Sequence, residues 1–379
     1  MDFLKSAVIA LLVLAGSMPV AAGDSQAQSA VDPSEVEWTA ERYLRAQPMG
    51  PVPVRPLSRD LPTERLATSL EEGPVGAPGR RPTRGSLPQF DLYIHDPGAS
   101  PRFSTSGRGR QLGRQAAVVP GGGGRSENRG TSALDFSSSR LVPEDARVVY
   151  PYRTVGKLYF DKPGGGSFVC SGSVIQRRLV LTAGHCVHTQ GKGFHKNFSF
   201  VPAYYRGNAP FGTWRVAKIW TTGEWSNGHG VPNAADFGIL VMRDNFDGDS
   251  IGQVTGWLGW RTKSLTPNHL HILGYPGNLD KGKEMHQVTS GEYDCCFTKT
   301  ATYGSDMGGG SSGGPWVQNF GVRANRQNVG KNTQTNRVVG VGSYGPLNKK
   351  VLYSGSSIPG EAFSNLFRKA CNDSAANCT

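Results

Sequence analysis

The sequence predicts an all-β protein, built as an antiparallel sandwich or barrel. Three observations lead there. From about residue 146, short apolar or alternating runs recur at close spacing: 155–160, 173–175, 179–182, 214–221, 237–242, 269–273 and 338–341. Gly, Pro and Asn punctuate them, as turns between antiparallel strands require. One stretch alone reads clearly as a helix, 361–369, with Ala362, Phe363, Leu366 and Phe367 on a single face.

The first third of the chain is different. Residues 7–16 (AVIALLVLAG) form an apolar run too short to span a bilayer, and small residues at Val20-Ala21-Ala22 follow it. This reads as a secretory signal at 1–22, cleaved after Ala22, which predicts a secreted protein, extracellular or periplasmic. No later run is long and apolar enough to suggest a membrane partner. Residues 23–145 are rich in Pro, Gly, Ser and Arg and hold few apolar clusters. Such composition buries too little apolar surface to offset chain entropy, so a low-complexity, poorly ordered pro-region is expected. A weak helix near 34–45 and a short strand near 89–94 are the exceptions.

The net charge is +12, and within that region positive charge is concentrated in one stretch, with six arginines and one acidic residue between 102 and 129. Aromatic side chains do not interleave with these arginines as a base-stacking platform requires, so a solvated, cleavable segment is favoured and no nucleic-acid partner is expected. A non-catalytic binding protein on the same fold, or a binder of nucleic acid or anionic surfaces working through the basic arm, is the alternative function.

All six cysteines lie after residue 169: Cys170, Cys186, Cys295, Cys296, Cys371 and Cys378. An even count in an exported chain points to disulfides, although six cysteines allow 15 connectivities. Cys371 and Cys378 would close a small C-terminal loop. The adjacent Cys295 and Cys296 leave a vicinal bridge as one possibility. A Cys170–Cys186 bridge would tie the turn carrying His185 to a neighbouring strand, and a general base needs such fixing, because small misplacements cost rate. His269 and His271 alternate on one strand face, but no third ligand at a sensible spacing accompanies them, so neither metal nor cofactor is expected.

Two motifs carry the chemistry. Residues 181–186 read LTAGHC, and residues 309–316 read GGSSGGPW. The first resembles the histidine segment of the trypsin-like serine peptidases of the chymotrypsin superfamily. The second resembles their nucleophile loop. Further segments, 256–259 (GWLG) and 272–277 (ILGYPG), resemble the bacterial branch that includes the glutamyl endopeptidases. The resemblance covers roughly 150–368. It implies two antiparallel β-barrels, about 146–245 and 246–360, and a C-terminal helix at about 361–370, within a peptidase domain at 146–379. It also implies a serine endopeptidase that cuts protein or peptide substrates through an acyl-enzyme. A monomer is expected.

The roles carried over are specific. Ser312 takes the nucleophile position, with Ser311 before it, and the amides of Gly310 and Ser312 form the oxyanion hole. The general base is His185. The carboxylate should lie between it and the serine. Asp236 fits best, at the opening of an apolar strand, ahead of Asp244, Asp247 and Asp249 in a Gly/Asn-rich turn. Ser343, Tyr344 and Gly345 match the strand that binds the substrate backbone, and Ser343 could also bond Asp236.

The pattern departs from the family in three places. Ser311 is uncharged where trypsin-like zymogens hold an aspartate, so activation by a freed N-terminus is not expected. Gly342 and Met307 stand where glutamyl endopeptidases carry a histidine and a small hydroxyl residue. Asp306, six residues before Ser312, is either a pocket floor selecting Lys or Arg or a structural carboxylate.

Overall fold

The structure is a computed structural model and describes residues 25–29, 37–49, 71–80, 136–228, 230–263, 265, 268–295, 300–321, 334–346 and 352–379. The strand expected near 89–94 lies outside them, as do the side chains of Cys295 and Cys296.

Two closed antiparallel barrels of six strands each form the body. Barrel one uses β1 (Val155–Asp161), β2 (Ser167–Val174), β3 (Leu179–Thr182), β4 (Lys196–Pro202), β5 (Trp214–Thr221) and β6 (Gly238–Met242). Its order is β5-β6-β3-β2-β1-β4, closed where Trp214 and Arg215 pair with Phe200 and Ser199. Barrel two uses β7 (His269–Gly274), β8 (His286–Cys295), β9 (Thr300–Gly304), β10 (Pro315–Gln318), β11 (Arg337–Tyr344) and β12 (Tyr353–Ser357). Its order is β11-β10-β7-β8-β9-β12, closed by β11 on β12.

β3 and β6 are apolar on both faces because both faces are covered. Successive side chains of a strand point to opposite sides. In β3 Val180, and in β6 Leu240 and Met242, fill the interior of barrel one with Leu158 and Phe160 of β1. Their neighbours Leu179, Leu181, Ile239 and Val241 face outward into a second core. That core lies between the barrels and takes in Leu273, Tyr275 and Val341 from barrel two. The helix Glu361–Asn372 closes it with Phe363, Leu366, Phe367 and Ala370, spaced i, i+3, i+4 and i+7. Barrel two has its own interior, built on Leu270, Ile272, Val288, Tyr303, Trp316 and Val339. Disulfides join Cys170 to Cys186 and Cys371 to Cys378.

The N-terminal third differs from the expectation of a poorly ordered region wherever it is described. Phe136–Arg140 adds a five-residue antiparallel strand to β8 and buries Phe136 in barrel two. Gln26–Ser29 pairs with β5. Residues 71–80 lie along barrel two. There Glu72 pairs with Arg261 and Arg337, while the carbonyls of Gly73, Pro74 and Pro78 accept from Arg337 and Arg153. The helix expected near 34–45 is present at Ala40–Arg45. The physical reason is docking onto a finished surface: a few anchors such as Trp38, Met49 and Phe136 suffice, so mean composition does not report them.

Candidate active site

The site is assembled where the two barrels meet. β3 ends at Thr182, and a single turn, Gly184–Cys186, presents His185. The Cys170–Cys186 bridge fastens that turn to β2. Gly184 has to be glycine, because a Cβ there would press on the Trp225 ring and on Asp236 Oδ1. That close approach lets the His185 backbone N–H donate to Asp236 Oδ1 at 2.8 Å.

Asp236 precedes β6 and is fully buried. His185 Nδ1 lies 2.8 Å from its Oδ2, and Ser343 Oγ donates to the same oxygen at 2.6 Å. Three donors therefore compensate a buried carboxylate that would otherwise be costly. With Nδ1–H donating to Asp236, the lone pair of His185 sits on Nε2. Nε2 is buried and has no hydrogen-bond partner among the described residues. Of the rival carboxylates, Asp244 is paired with Arg178 and Asp249 with Arg80.

The loop carrying Ser311 and Ser312 packs against the end of β3. Gly313, at φ +77°, lies so close to Thr182 and Ala183 that no side chain fits. Its N–H donates to Gly342 O, and Ser171 N–H donates to Ser312 O, both at 2.7 Å. The two serines differ. Ser311 Oγ donates to Gly308 O at 2.7 Å, within its own loop. Among the described residues the Ser312 hydroxyl makes no hydrogen bond, and the amides of Gly310 and Ser312 donate to none.

Three supports were not found from sequence. Ser171 Oγ donates to Gly310 O at 2.9 Å and accepts from Tyr275 N–H, so a barrel-one serine holds the loop of barrel two. Asn278 bonds both the Gly308 N–H and the Asp306 carbonyl. Trp225 lies edge-on to His185, with ring centres 6.1 Å apart. All three act across long sequence separations, and only the turn-like Pro276-Gly277-Asn278 hinted at one.

Asp306 is half-buried, and its Oδ1 accepts from Ser138 Oγ at 2.7 Å. Met307 beside it is buried in barrel two. Tyr344 reaches Thr300 through a hydroxyl–hydroxyl bond of 2.9 Å, and Gly345 continues at the end of β11. His271 packs against Phe320. Cys170, His185 and Cys186 are the one group of potential metal ligands clustered among the described residues, and their sulfurs are already bonded to each other.

Comparison with known proteins agrees with this architecture. The trypsin family profile matches residues 146–201. A glutamyl endopeptidase of Bacillus licheniformis is 25% identical over 252 residues, covering 64% of this chain and 72% of that protein. An extracellular metalloprotease of Bacillus subtilis is 27% identical over 210 residues, covering 52% of this chain and 63% of that protein, less than two thirds of its length. A thermostable serine protease from an extremophilic microorganism superposes with a TM-score of 0.50 at 25% identity, covering 59% of this chain and 98% of that one. Fold and matches point to one class: the chain has the two-barrel fold of the chymotrypsin-like serine proteases and resembles the trypsin-like serine peptidases. Within it, the relatives include the glutamyl endopeptidase branch.

Proposed function

We propose that the protein is a secreted serine endopeptidase with Ser312 as nucleophile, His185 as general base and Asp236 as the carboxylate that orients it. The observation that carries this reading is the bonding of His185. Both its backbone N–H and its Nδ1 are engaged by Asp236, so the ring is fixed with its basic nitrogen opposite the carboxylate. His185 Nε2 takes the Ser312 proton as Oγ attacks the scissile carbonyl, then returns it to the leaving amine. Water repeats the cycle on the acyl-enzyme. The Gly310 and Ser312 amides, free of other acceptors, stabilise the oxyanion. Ser343, Tyr344 and Gly345 offer an edge to the substrate backbone.

Asp306 is read as a structural carboxylate, because Ser138 occupies one of its oxygens and ties it to the strand 136–140. Export of the chain is supported by the apolar run at 7–16 and by the two disulfides among the described residues. Among the described residues no helix is long and apolar enough to cross a membrane. Hydrolysis of a mixed peptide library by the purified chain tests the reading. Cleavage that disappears in both Ser312→Ala and His185→Ala supports it, and cleavage that survives either change overturns it.

A further inference from the structure

We propose that residues 37–49 are an intramolecular inhibitor that holds this site closed; the proposal rests on the peptidase reading above. The segment is anchored, then delivered. Its anchor is an aromatic stack on barrel one. Trp38 stacks on Tyr43 at 5.1 Å, Tyr43 meets the buried Tyr159 edge-on at 4.7 Å, and the Tyr43 hydroxyl bonds Ser199 Oγ at 2.7 Å. Arg42 lies over the Trp38 ring and pairs with Asp161. The short helix Ala40–Arg45 between these residues is capped by the Thr39 hydroxyl.

Beyond the helix the chain runs to the nucleophile loop. Gln47 and Pro48 pair in parallel with Phe168 and Val169 of β2, and Met49 N–H donates to Val169 O at 3.0 Å. Met49 is buried in barrel one, in one apolar cluster with Cys170 and Cys186 of the bridge beside His185. Pro48 then covers the loop. A Cβ on Gly277 would strike its ring, and a Cβ on Gly310 would lie 3.6 Å from Pro48 Cβ. The proline therefore rests on the residue whose amide is assigned to the oxyanion. In the same structure the His185 imidazole Nε2 is closed to solvent.

A substrate must lay its carbonyl against Gly310 and Ser312, and the Pro48 ring takes up the surface beside that position. Being part of the same chain, the segment competes at a high effective concentration, so substrate displaces it poorly. The observed rate then scales with the fraction of molecules whose site is open.

The test uses the uncut full chain, its length checked on a denaturing gel and its folding by a thermal melt. Two variants loosen the segment without touching the proposed catalytic residues: the double variant Trp38→Ala/Tyr43→Ala, which removes the anchor, and Met49→Asp, which ejects the tip. If either fails to fold, the other reads the same effect. The readouts are labelling by a fluorophosphonate and hydrolysis of a fluorogenic peptide, with Ser312→Ala as control. Both rates should rise about tenfold or more over the unaltered chain, as an equilibrium that is mostly closed demands. Equal rates in variants and parent, with labelling still lost in Ser312→Ala, would overturn the inhibitor and leave the peptidase standing. No Ser312-dependent labelling in any folded chain would overturn both.

Discussion

Ser343 on β11 of barrel two donates its hydroxyl to Asp236 Oδ2, at the entry to β6 of barrel one, at 2.6 Å. This bond joins the two barrels at the carboxylate that orients His185. It sits one residue after Gly342, whose carbonyl and N–H hold Gly313 and Gly314 of the loop that carries Ser312. One strand thus sets the spacing of the proposed base and nucleophile together.

Removing that donor should cost turnover more than binding. Ser343→Ala leaves the fold in place and Asp236 with two donors instead of three. A lost bond to a charged group is worth about tenfold in rate. The expected result is a fall of that size in kcat with KM nearly unchanged, read from steady-state hydrolysis of a peptide substrate.

His195 should make barrel one labile to acid. Its ring is buried and stacked on Phe160; Nδ1–H donates to Cys186 O, so Nε2 accepts from Thr189. Burial pushes its pKa down to about 3. The unfolded chain binds the proton from about pH 6.5 downward while the folded one does not, so stability is full above that pH and is lost as pH falls toward 3. The full effect is about 5 kcal/mol. His195→Gln, compared with the parent in urea melts at several pH values, should show a flatter decline below pH 6.5.

Lys157 should act at the other end of the scale. Its ammonium is buried, bonded to Gly282 O at 2.7 Å and placed over Tyr159 and Tyr204. Desolvation lowers its pKa to about 8. Below that pH both states carry the charge and the fold bears the full burial cost; above the unfolded value of 10.5 neither does. Stability should therefore gain about 3 kcal/mol between pH 8 and 10.5, and Lys157→Met should remove that slope.

Asp306→Ser separates the two roles weighed for that residue. Loss of the Ser138 bond should lower stability by about 1–3 kcal/mol, read as a lower Tm. Library profiling should find the residue preference unchanged.

Much of the fold was legible because burial on both faces wrote itself into β3 and β6 as nearly unbroken apolar runs. β12 was not, since its sequence, YSGSS, is polar. Its buried serines are satisfied by hydrogen bonds: Ser357 Oγ donates to Asn233 O at 2.6 Å, and Ser356 Oγ accepts from Val341 N–H at 2.9 Å. Hydropathy cannot register that kind of burial. Among the candidate site residues, His185, Asp236 and Ser312 are singled out by short motifs, and the Ser343 bond to Asp236 was anticipated. Ser171 and Asn278 are not, because each acts across a separation that only the folded chain closes. Trp38 and Met49 were hidden for another reason: their neighbours in sequence bury little, and their partners are on a barrel more than a hundred residues away.

The choice between the two adjacent serines tests the central claim most directly. Ser311 Oγ is held within its loop and Ser312 Oγ is not. Mass spectrometry of the chain after reaction with a fluorophosphonate should place a single phosphonyl adduct on Ser312, lost in Ser312→Ala and retained in Ser311→Ala. An adduct on Ser311, or labelling that survives Ser312→Ala, would contradict the account.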